Sequence, residues 1–442
     1  MFFKSNSAKI ALAAICSRAV CLLVGLVSAE CMHPYDTSGN IYPAGHKNVG
    51  EWLSPLAYWD GVYFLRTADI EGYEYEHTHA FFPGLPILIN VMEGLASSIL
   101  PEWVLPAQRV DRLLLCGAVI TNISFVLASV LLYWLGLAVL SDRKDGVSVA
   151  YYGALFFAIP MSNIFMSAIY TESLYSMLTF AGLLLLYTAA NAYRPDQSRW
   201  AELGQATLAL GSAITLAAAT LTRSNGTLNA PFLISFGIHT RSLLLAIPLV
   251  LLVLLPLPLY LRYAWSLYCS NIGLDNRPWC DEGGNVYSYI QKEYWNVGLF
   301  EYYTPNNIPN FLLAVPSMSI AVTAVVRGLS RYCPQLSRAF SPKAWIEGVV
   351  SAAYDYKRSP FVFQLMVLTF FTLLCANVQV MTRLLTGCPL YYWQLGSFYD
   401  SIIADKKGGG RISTVAFYVY LLFHSVYFFI GPIMFCNFLP WT

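Results

Sequence analysis

Charge is what this chain has least of. Only 12% of its 442 residues are Asp, Glu, Lys or Arg, against ~25% in soluble domains. The 26 Lys and Arg nearly balance the 25 Asp and Glu, leaving a net charge of +1. That balance gives no sign of a nucleic-acid or strongly acidic partner. The ten cysteines show no CxxC pair and no His–Cys spacing, so a zinc site finds no support and no metal ligand is assigned. Walker loops, dinucleotide-binding fingerprints, nucleophile elbows and HExxH motifs are also missing, which argues against ATP hydrolysis, redox chemistry and zinc proteolysis. No internal repeat speaks for a transporter of inverted halves. What is abundant is apolar sequence: 57% hydrophobic and 15% aromatic, with mean hydropathy +0.53. The apolar runs are continuous, of about 20 residues, and lack the alternation of barrel strands. The expected class is an all-α polytopic membrane protein.

Along the chain, residues 8–29 form the first span, flanked by Lys4 and Lys9. Val27-Ser28-Ala29 resembles a signal-peptidase site, but the run exceeds a typical signal core, and an uncleaved anchor is expected. Residues 30–112 make a long loop in which Ala80–Leu100, broken by Pro83, Gly84 and Pro86, suits a re-entrant or interfacial segment. Helical spans are expected at Leu113–Leu140, Val147–Pro160, Asn163–Tyr187, Glu202–Leu221, Thr227–His239, Ser242–Tyr263, Phe311–Val326, Phe361–Leu385 and Ser413–Cys436. The count is about 8–10, in one integral-membrane domain over 1–442: a helical bundle over 113–263, an aromatic loop over 264–310 and C-terminal spans over 311–442. Basic residues at Lys4/Lys9, Arg143/Lys144, Arg194/Arg199, His239/Arg241 and from Arg327 to Arg358 mark alternate loops as cytosolic. The other face then receives loop 30–112, the Arg223-Ser224-Asn225-Gly226 turn, loop 264–310 and loop 387–411, although the last carries Lys406, Lys407 and Arg411. Cys31, Cys269, Cys280 and Cys388 lie in or near those polar loops, where a bridge is open but its pairing is not readable.

Polar side chains gather on that second face. Asp60 follows Tyr58-Trp59; it is placed to accept a hydroxyl proton while aromatics exclude water, yet Asp before Gly is equally what a turn uses. Glu74, Glu76, His77 and His79 form a second cluster, and Glu76 and His79 would share one face of a helix. Such a pair is more often solvated surface than a metal site. Phe81-Phe82-Pro83-Gly84-Leu85-Pro86 reads as a wedge seated in the bilayer edge. Glu172 interrupts an apolar run and marks a functional site by default, or a structural pair with Arg223 or Arg383. Either arginine suits a phosphate clamp, and Gln379, one turn before Arg383, would share its face. Trp279, Tyr289, Gln291, Trp295 and Asn296 offer aromatic faces and amides fit for a sugar, although such aromatics are more often a membrane interface.

A resemblance covers most of these motifs in order. Tyr58-Trp59-Asp60, Gly72-Tyr73-Glu74-Tyr75-Glu76-His77, Ala80-Phe81-Phe82-Pro83-Gly84, Arg223-Ser224-Asn225-Gly226, Pro278-Trp279-Cys280, Tyr287-Ser288-Tyr289-Ile290-Gln291, Tyr294-Trp295-Asn296-Val297-Gly298, Val378-Gln379-Val380, Thr382-Arg383 and the terminal Cys436 to Thr442 resemble the PIG-V family of GPI mannosyltransferases. The resemblance implies a glycosyltransferase of the GT-C class in the endoplasmic-reticulum membrane, acting on its lumenal face. It implies dolichyl-phosphate mannose as donor, a mannosyl-glucosaminyl-acyl-phosphatidylinositol acceptor and α-1,6 transfer of the second mannose with inversion. Asp60 fits the acidic residue that the class carries in its first lumenal loop. A small membrane subunit accompanies some relatives; no cofactor is implied with certainty, and divalent-metal dependence stays open. The chain departs from some relatives in having little sequence between Tyr392-Trp393 and the last span. The competing readings are another dolichyl-phosphate-sugar-dependent step, a lipid transporter and a non-catalytic subunit.

Overall fold

The computed structural model describes residues 2–32, 35, 52–269, 277–281, 285–332, 342–404 and 411–439, and among these are helices and turns with no strand. The helices are α1 (Phe2–Cys31), α2 (Gly61–Ile70), α3 (Gly84–Ile99), α4 (Arg109–Val139), α5 (Gly146–Ala158), α6 (Glu172–Ala192), α7 (Arg199–Thr222) and α8 (Ala230–His239). They continue as α9 (Leu243–Leu254), α10 (Pro256–Cys269), α11 (Val286–Trp295), α12 (Ile308–Leu329), α13 (Pro342–Tyr354), α14 (Ser359–Leu374), α15 (Pro389–Ala404) and α16 (Arg411–Cys436). Seven helical segments among the described residues are long and apolar enough to cross a membrane, α9 and α10 counting as one and α12 with its lead-in from Pro305 as another. Three shorter apolar helices, α3, α5 and α14, accompany them.

The bundle is built on α4, α6 and α7, with α5 and α15 packed as a pair beside α4 and α1 packed against α16. In lipid the hydrophobic effect does not drive helices together, so close backbone approach must. At the α5–α15 crossing, a Cβ on Gly396 would lie 2.7 Å from the nitrogen of Gly153; only hydrogen at both positions permits that contact. The opposite faces are left to lipid: Leu244, Leu251 and Leu259 on α9 and α10 are exposed.

The two ends of the bundle differ. At one end, Arg358 pairs with Asp142 at 2.5 Å, Arg143 with Asp145 at 2.6 Å, and the His239 ring stacks on Tyr356 at 3.6 Å. These are the loops whose basic residues mark a common side. The expectation for loop 387–411 is overturned here. Residues 389–404 are helix α15, which runs back to the basic end: Ser148 donates to Asp400, and Arg327 lies 4.7 Å above the Phe398 ring. Helix α16 then starts at Arg411 and ends beside Trp59. Arg411, at the start of α16, therefore falls with the other basic loops; Lys406 and Lys407 lie outside the described residues. The expected span Phe361–Leu385 also stops early, at Leu374, and short turns at Val378–Val380, Met381–Leu384 and Leu385–Gly387 carry the chain on to α15. The expected span Asn163–Tyr187 begins as helix only at Glu172, after a short turn at Asn163–Met166.

The wedge Phe81 to Pro86 is not seated in the bilayer edge. Phe81 and Phe82 are buried in protein, Phe81 stacked on Tyr63 and Phe82 against Tyr260. The amphipathic element is α3 itself, with Leu85, Ile89 and Glu93 inside and Ile87, Val91, Leu95 and Ile99 exposed. Its start is fixed by Gly84, where a Cβ would lie 2.7 Å from Thr222 Oγ1, so α3 abuts the end of α7.

Candidate active site

Helices α6 and α7 are neighbours, and the N-terminus of one lies beside the C-terminus of the other. Glu172 is the first residue of α6 and Arg223 the C-cap of α7, each at the helix end whose dipole favours its charge. Glu172 is fully buried. Its Oε1 accepts from Arg223 Nη1 at 2.9 Å and from Arg383 Nε at 2.8 Å. Arg383 comes from the turn Met381–Leu384 and also stacks over the rings of Phe165 and Tyr170. Its other nitrogen, Nη2, lies 3.5 Å from Asp60 Oδ2. Two arginines thus share two carboxylates, and Glu172 holds both more tightly than Asp60 holds one.

Asp60 occupies the N-cap position of α2, but its side chain makes no capping bond. The turn alternative therefore accounts for its backbone and leaves the carboxylate free. Its N–H donates to the Tyr170 hydroxyl at 2.9 Å. The preceding Trp59 is held at φ 58, a left-handed conformation that costs a bulky residue about 1–3 kcal/mol. It is held there by Nε1 donating to the Phe435 carbonyl at 3.1 Å and by the Phe438 ring. About a third of the Asp60 side chain is open to the cavity (32%), although its surroundings are protein. Desolvation is the largest influence and pushes its pKa up. Arg383 pulls the other way, Glu172 adds to the rise, and the net direction is upward. Burial opposes the charge on Arg383, but Glu172 and Asp60 outweigh it and raise the Arg383 pKa.

Above these groups lies a cavity of about 480 Å³. Asp60, Arg223, Asn225, Gln291, Trp295 and Arg383 line it. Both amide atoms of Asn225 are buried without a hydrogen-bond partner, as is Oε2 of Glu172, an uncommon state that a ligand would relieve. Thr171, Thr222, Ser224, Tyr287 and Asn377 also line the cavity, and sequence reasoning assigned them no role. Ser224 and Tyr287 had been quoted within motifs, but an ordinary hydroxyl at a helix end gives no signal of its own.

The remaining expected residues lie elsewhere, for physical reasons. Glu74 is taken by Arg66 at 3.0 Å on a half-exposed surface. Glu76–Ala80 is a tight three-residue-period turn and not an α-helix, so Glu76 and His79 have separate partners. Glu76 accepts from Trp279 Nε1 at 2.8 Å and pairs with Arg277 at 3.1 Å. The Cys269–Cys280 disulfide anchors that clamp to α10; Cys31 and Cys388 are free. His79 is sandwiched against Tyr73 with the Tyr260 hydroxyl 3.2 Å from Nδ1, and burial lowers its pKa to about 4. His77 packs edge-on to Tyr63, and Tyr289 lies against the Trp279 cluster. Asn296 ends α11 in the left-handed conformation. Gln379 does not share a face with Arg383: the turn redirects it, and its Oε1 accepts from the Tyr302 hydroxyl at 2.9 Å. Among the described residues no three His, Cys, Asp or Glu gather as metal ligands.

A family model described as mannosyltransferase (PIG-V) matches residues 7–442. The chain is 29% identical to GPI alpha-1,6-mannosyltransferase 2 of Cricetulus griseus over 88% of each chain. It is 28% identical to GPI mannosyltransferase 2 of Drosophila melanogaster over 98% of this chain and 99% of that one. Among solved structures it is similar to the oligosaccharyltransferase AglB of Archaeoglobus fulgidus with an inhibitory peptide and a dolichol-phosphate. There the TM-score is 0.49 and the identity 13%, over 99% of this chain and 56% of that one. With residues 7–442 matched from end to end, this chain belongs to the PIG-V family of mannosyltransferases.

Proposed function

We propose that this protein transfers the second mannose, in α-1,6 linkage, to the glycosylphosphatidylinositol precursor. The donor is dolichyl-phosphate mannose, and the reaction takes place on the lumenal face of the endoplasmic-reticulum membrane. The names of the relatives support the acceptor and linkage. The observation that carries the chemistry is a cavity-facing carboxylate, Asp60, 3.5 Å from an arginine that shares its charge with a buried glutamate.

In this reading Asp60 takes the proton from the acceptor 6-hydroxyl. The new C–O bond forms at the anomeric carbon as the bond to the phosphate oxygen breaks on the opposite side, which inverts the configuration. Dolichyl phosphate leaves as an anion and needs no acid, only cations. Arg223 and Arg383 supply them, and Glu172 fixes both guanidiniums in place. The raised pKa of Asp60 makes it a stronger base than an exposed carboxylate. Asn225, Gln291 and Trp295 are placed to hold sugar. The binding of a small membrane subunit is part of the same expectation, with no contact surface assigned.

Microsomes from cells lacking this activity, expressing the chain and fed labelled donor, test the reading by which glycolipid intermediate is consumed. Consumption of the one-mannose intermediate is expected. Accumulation of that intermediate alongside normal expression would overturn the assignment of the step.

A further inference from the structure

One buried arginine has no part in the site as described and no acidic partner among the described residues. Arg18 lies midway along α1, 4% exposed, inside a segment apolar enough to cross a membrane. Its guanidinium sits 4.0 Å over the Phe125 ring. Nη1 donates to the Asn163 carbonyl at 2.7 Å and to Ser167 Oγ at 2.9 Å; Nη2 donates to Ser17 Oγ at 2.9 Å and to Asn163 Oδ1. A buried arginine without a counter-ion is a costly way to join helices, since an apolar side chain of similar volume packs as well or better. The one thing it adds is direction: a rigid fork whose donors fix their acceptors in place.

Three of its four acceptors lie on Asn163 and Ser167, at a short 3-10 turn that leads directly into the site. Polar bonds involving α4, α6 and α16 also hold the stretch, among them Asn122 Nδ2 to the Ser167 carbonyl at 3.3 Å and Ser173 Oγ to the Met166 carbonyl at 2.7 Å. Asn163 Nδ2 donates to the Phe428 carbonyl at 2.7 Å, Ser167 Oγ donates to Asn122 Oδ1 at 2.8 Å, and Thr121 Oγ1 donates to the Ser167 carbonyl at 2.9 Å. Ile169 N–H then reaches the Leu56 carbonyl at 2.8 Å. The next three residues are the ones the chemistry needs. Tyr170 receives the Asp60 N–H, Thr171 receives Arg223 Nη1 at 3.1 Å, and Glu172 receives both arginines. Phe165, inside the stretch, is the ring beneath Arg383.

We propose that Arg18 is a positioning residue for transfer: through Asn163 and Ser167 it sets where Tyr170, Thr171 and Glu172 stand relative to Asp60. The proposal rests on Asp60 as the base. It makes α1 part of the enzyme's precision as well as of its insertion, and it explains why a polar fork faces a stretch that is not α-helix.

The test is steady-state kinetics on the full-length chain in microsomes, normalised to folded enzyme. Arg18→Lys keeps the charge and loses the fork. It is expected to lower kcat by about tenfold, because displacements of an ångström at a site cost up to about a hundredfold, with a smaller change in KM for the donor. In a Tyr170→Phe background the same change is expected to cost under about threefold, since groups acting through one another are not additive. Ser167→Ala removes a single link and covers the case in which Arg18→Lys does not fold. It is expected to lower kcat about threefold, again without adding to Tyr170→Phe. Unchanged kcat per folded enzyme, or costs that multiply independently of Tyr170, overturns the proposal; so does a silent Ser167→Ala where Arg18→Lys fails to fold. Asp60→Asn run alongside keeps the two readings apart. Activity in Asp60→Asn removes the base, whereas an inactive Asp60→Asn with a fully active Arg18→Lys removes only the role of Arg18.

Discussion

Two carboxylates from the same loop region, Asp60 and Glu76, both meet an arginine, and they end in opposite situations. Glu76 is buried, paired with Arg277 at 3.1 Å and bonded to Trp279 at 2.8 Å. Asp60 has one arginine at 3.5 Å, which leans closer to Glu172, and opens on a cavity. The difference teaches what makes an acid available. A carboxylate whose lone pairs are filled by a local clamp holds loops together; one that must share its cation retains acceptor capacity for a substrate proton. Glu172 is what keeps Arg383 from closing fully on Asp60.

Changes on either side of this comparison should separate cleanly. Asp60→Asn is expected to lower kcat by about 10²–10⁴-fold, the range for a lost general base, with normal amounts of folded protein. Activity within tenfold of the parent would place the base elsewhere. Glu172→Gln leaves two buried arginines short of a counter-charge and is expected to cost about 3–5 kcal/mol in stability, read as a lower thermal midpoint in detergent. In whatever fraction folds, the pH profile carries the sign. Asp60 must be ionised to act, and its pKa is raised, so the acid limb of kcat should lie above the ~3.9 of a free aspartate. Glu172 contributes to that rise, so its removal should move the limb to lower pH. A limb that moves up, or stays, contradicts the shared-cation account.

On the clamp side, Glu76→Gln is expected to cost about 1–3 kcal/mol, as for a buried partner left unsatisfied. Per folded enzyme, kcat should stay within a small factor of the parent. A hundredfold fall in kcat at normal stability would make Glu76 part of the chemistry. The smallest effect is expected from Gln379→Ala, which loses one bond to Tyr302, about 1 kcal/mol. Its KM for the donor should not move; a large rise would return Gln379 to the phosphate.

Much of the charged cluster at the candidate site was legible because ions in apolar sequence are rare enough to need a reason. Glu172 stands out on that ground, Arg223 and Arg383 stand out as partners for it at span ends on the same face, and the helix ends that place the first two follow from the same run boundaries. The rest depended on geometry that no local pattern records. Gln379 was read on a helix where the chain makes a sequence of tight turns. Glu76 was read against His79, three residues away, while its partners Arg277 and Trp279 lie some 200 residues on. The side on which Arg411 falls turns on α15, whose mixed sequence Pro389–Ala404 hides a return pass. Phe81 and Phe82 looked like membrane anchors because burial in protein and burial in lipid favour the same side chains.

The bond from Trp59 to the Phe435 carbonyl has a consequence for biosynthesis. The two residues are 376 positions apart, so at a translation rate of about 5–20 residues per second the loop carrying Asp60 precedes its last support by about 20–75 s. During that interval neither the Phe435 carbonyl nor the Phe438 ring is present to hold Trp59 in its left-handed conformation. The support that fixes Trp59 beside Asp60 is therefore complete only once the final helix is made.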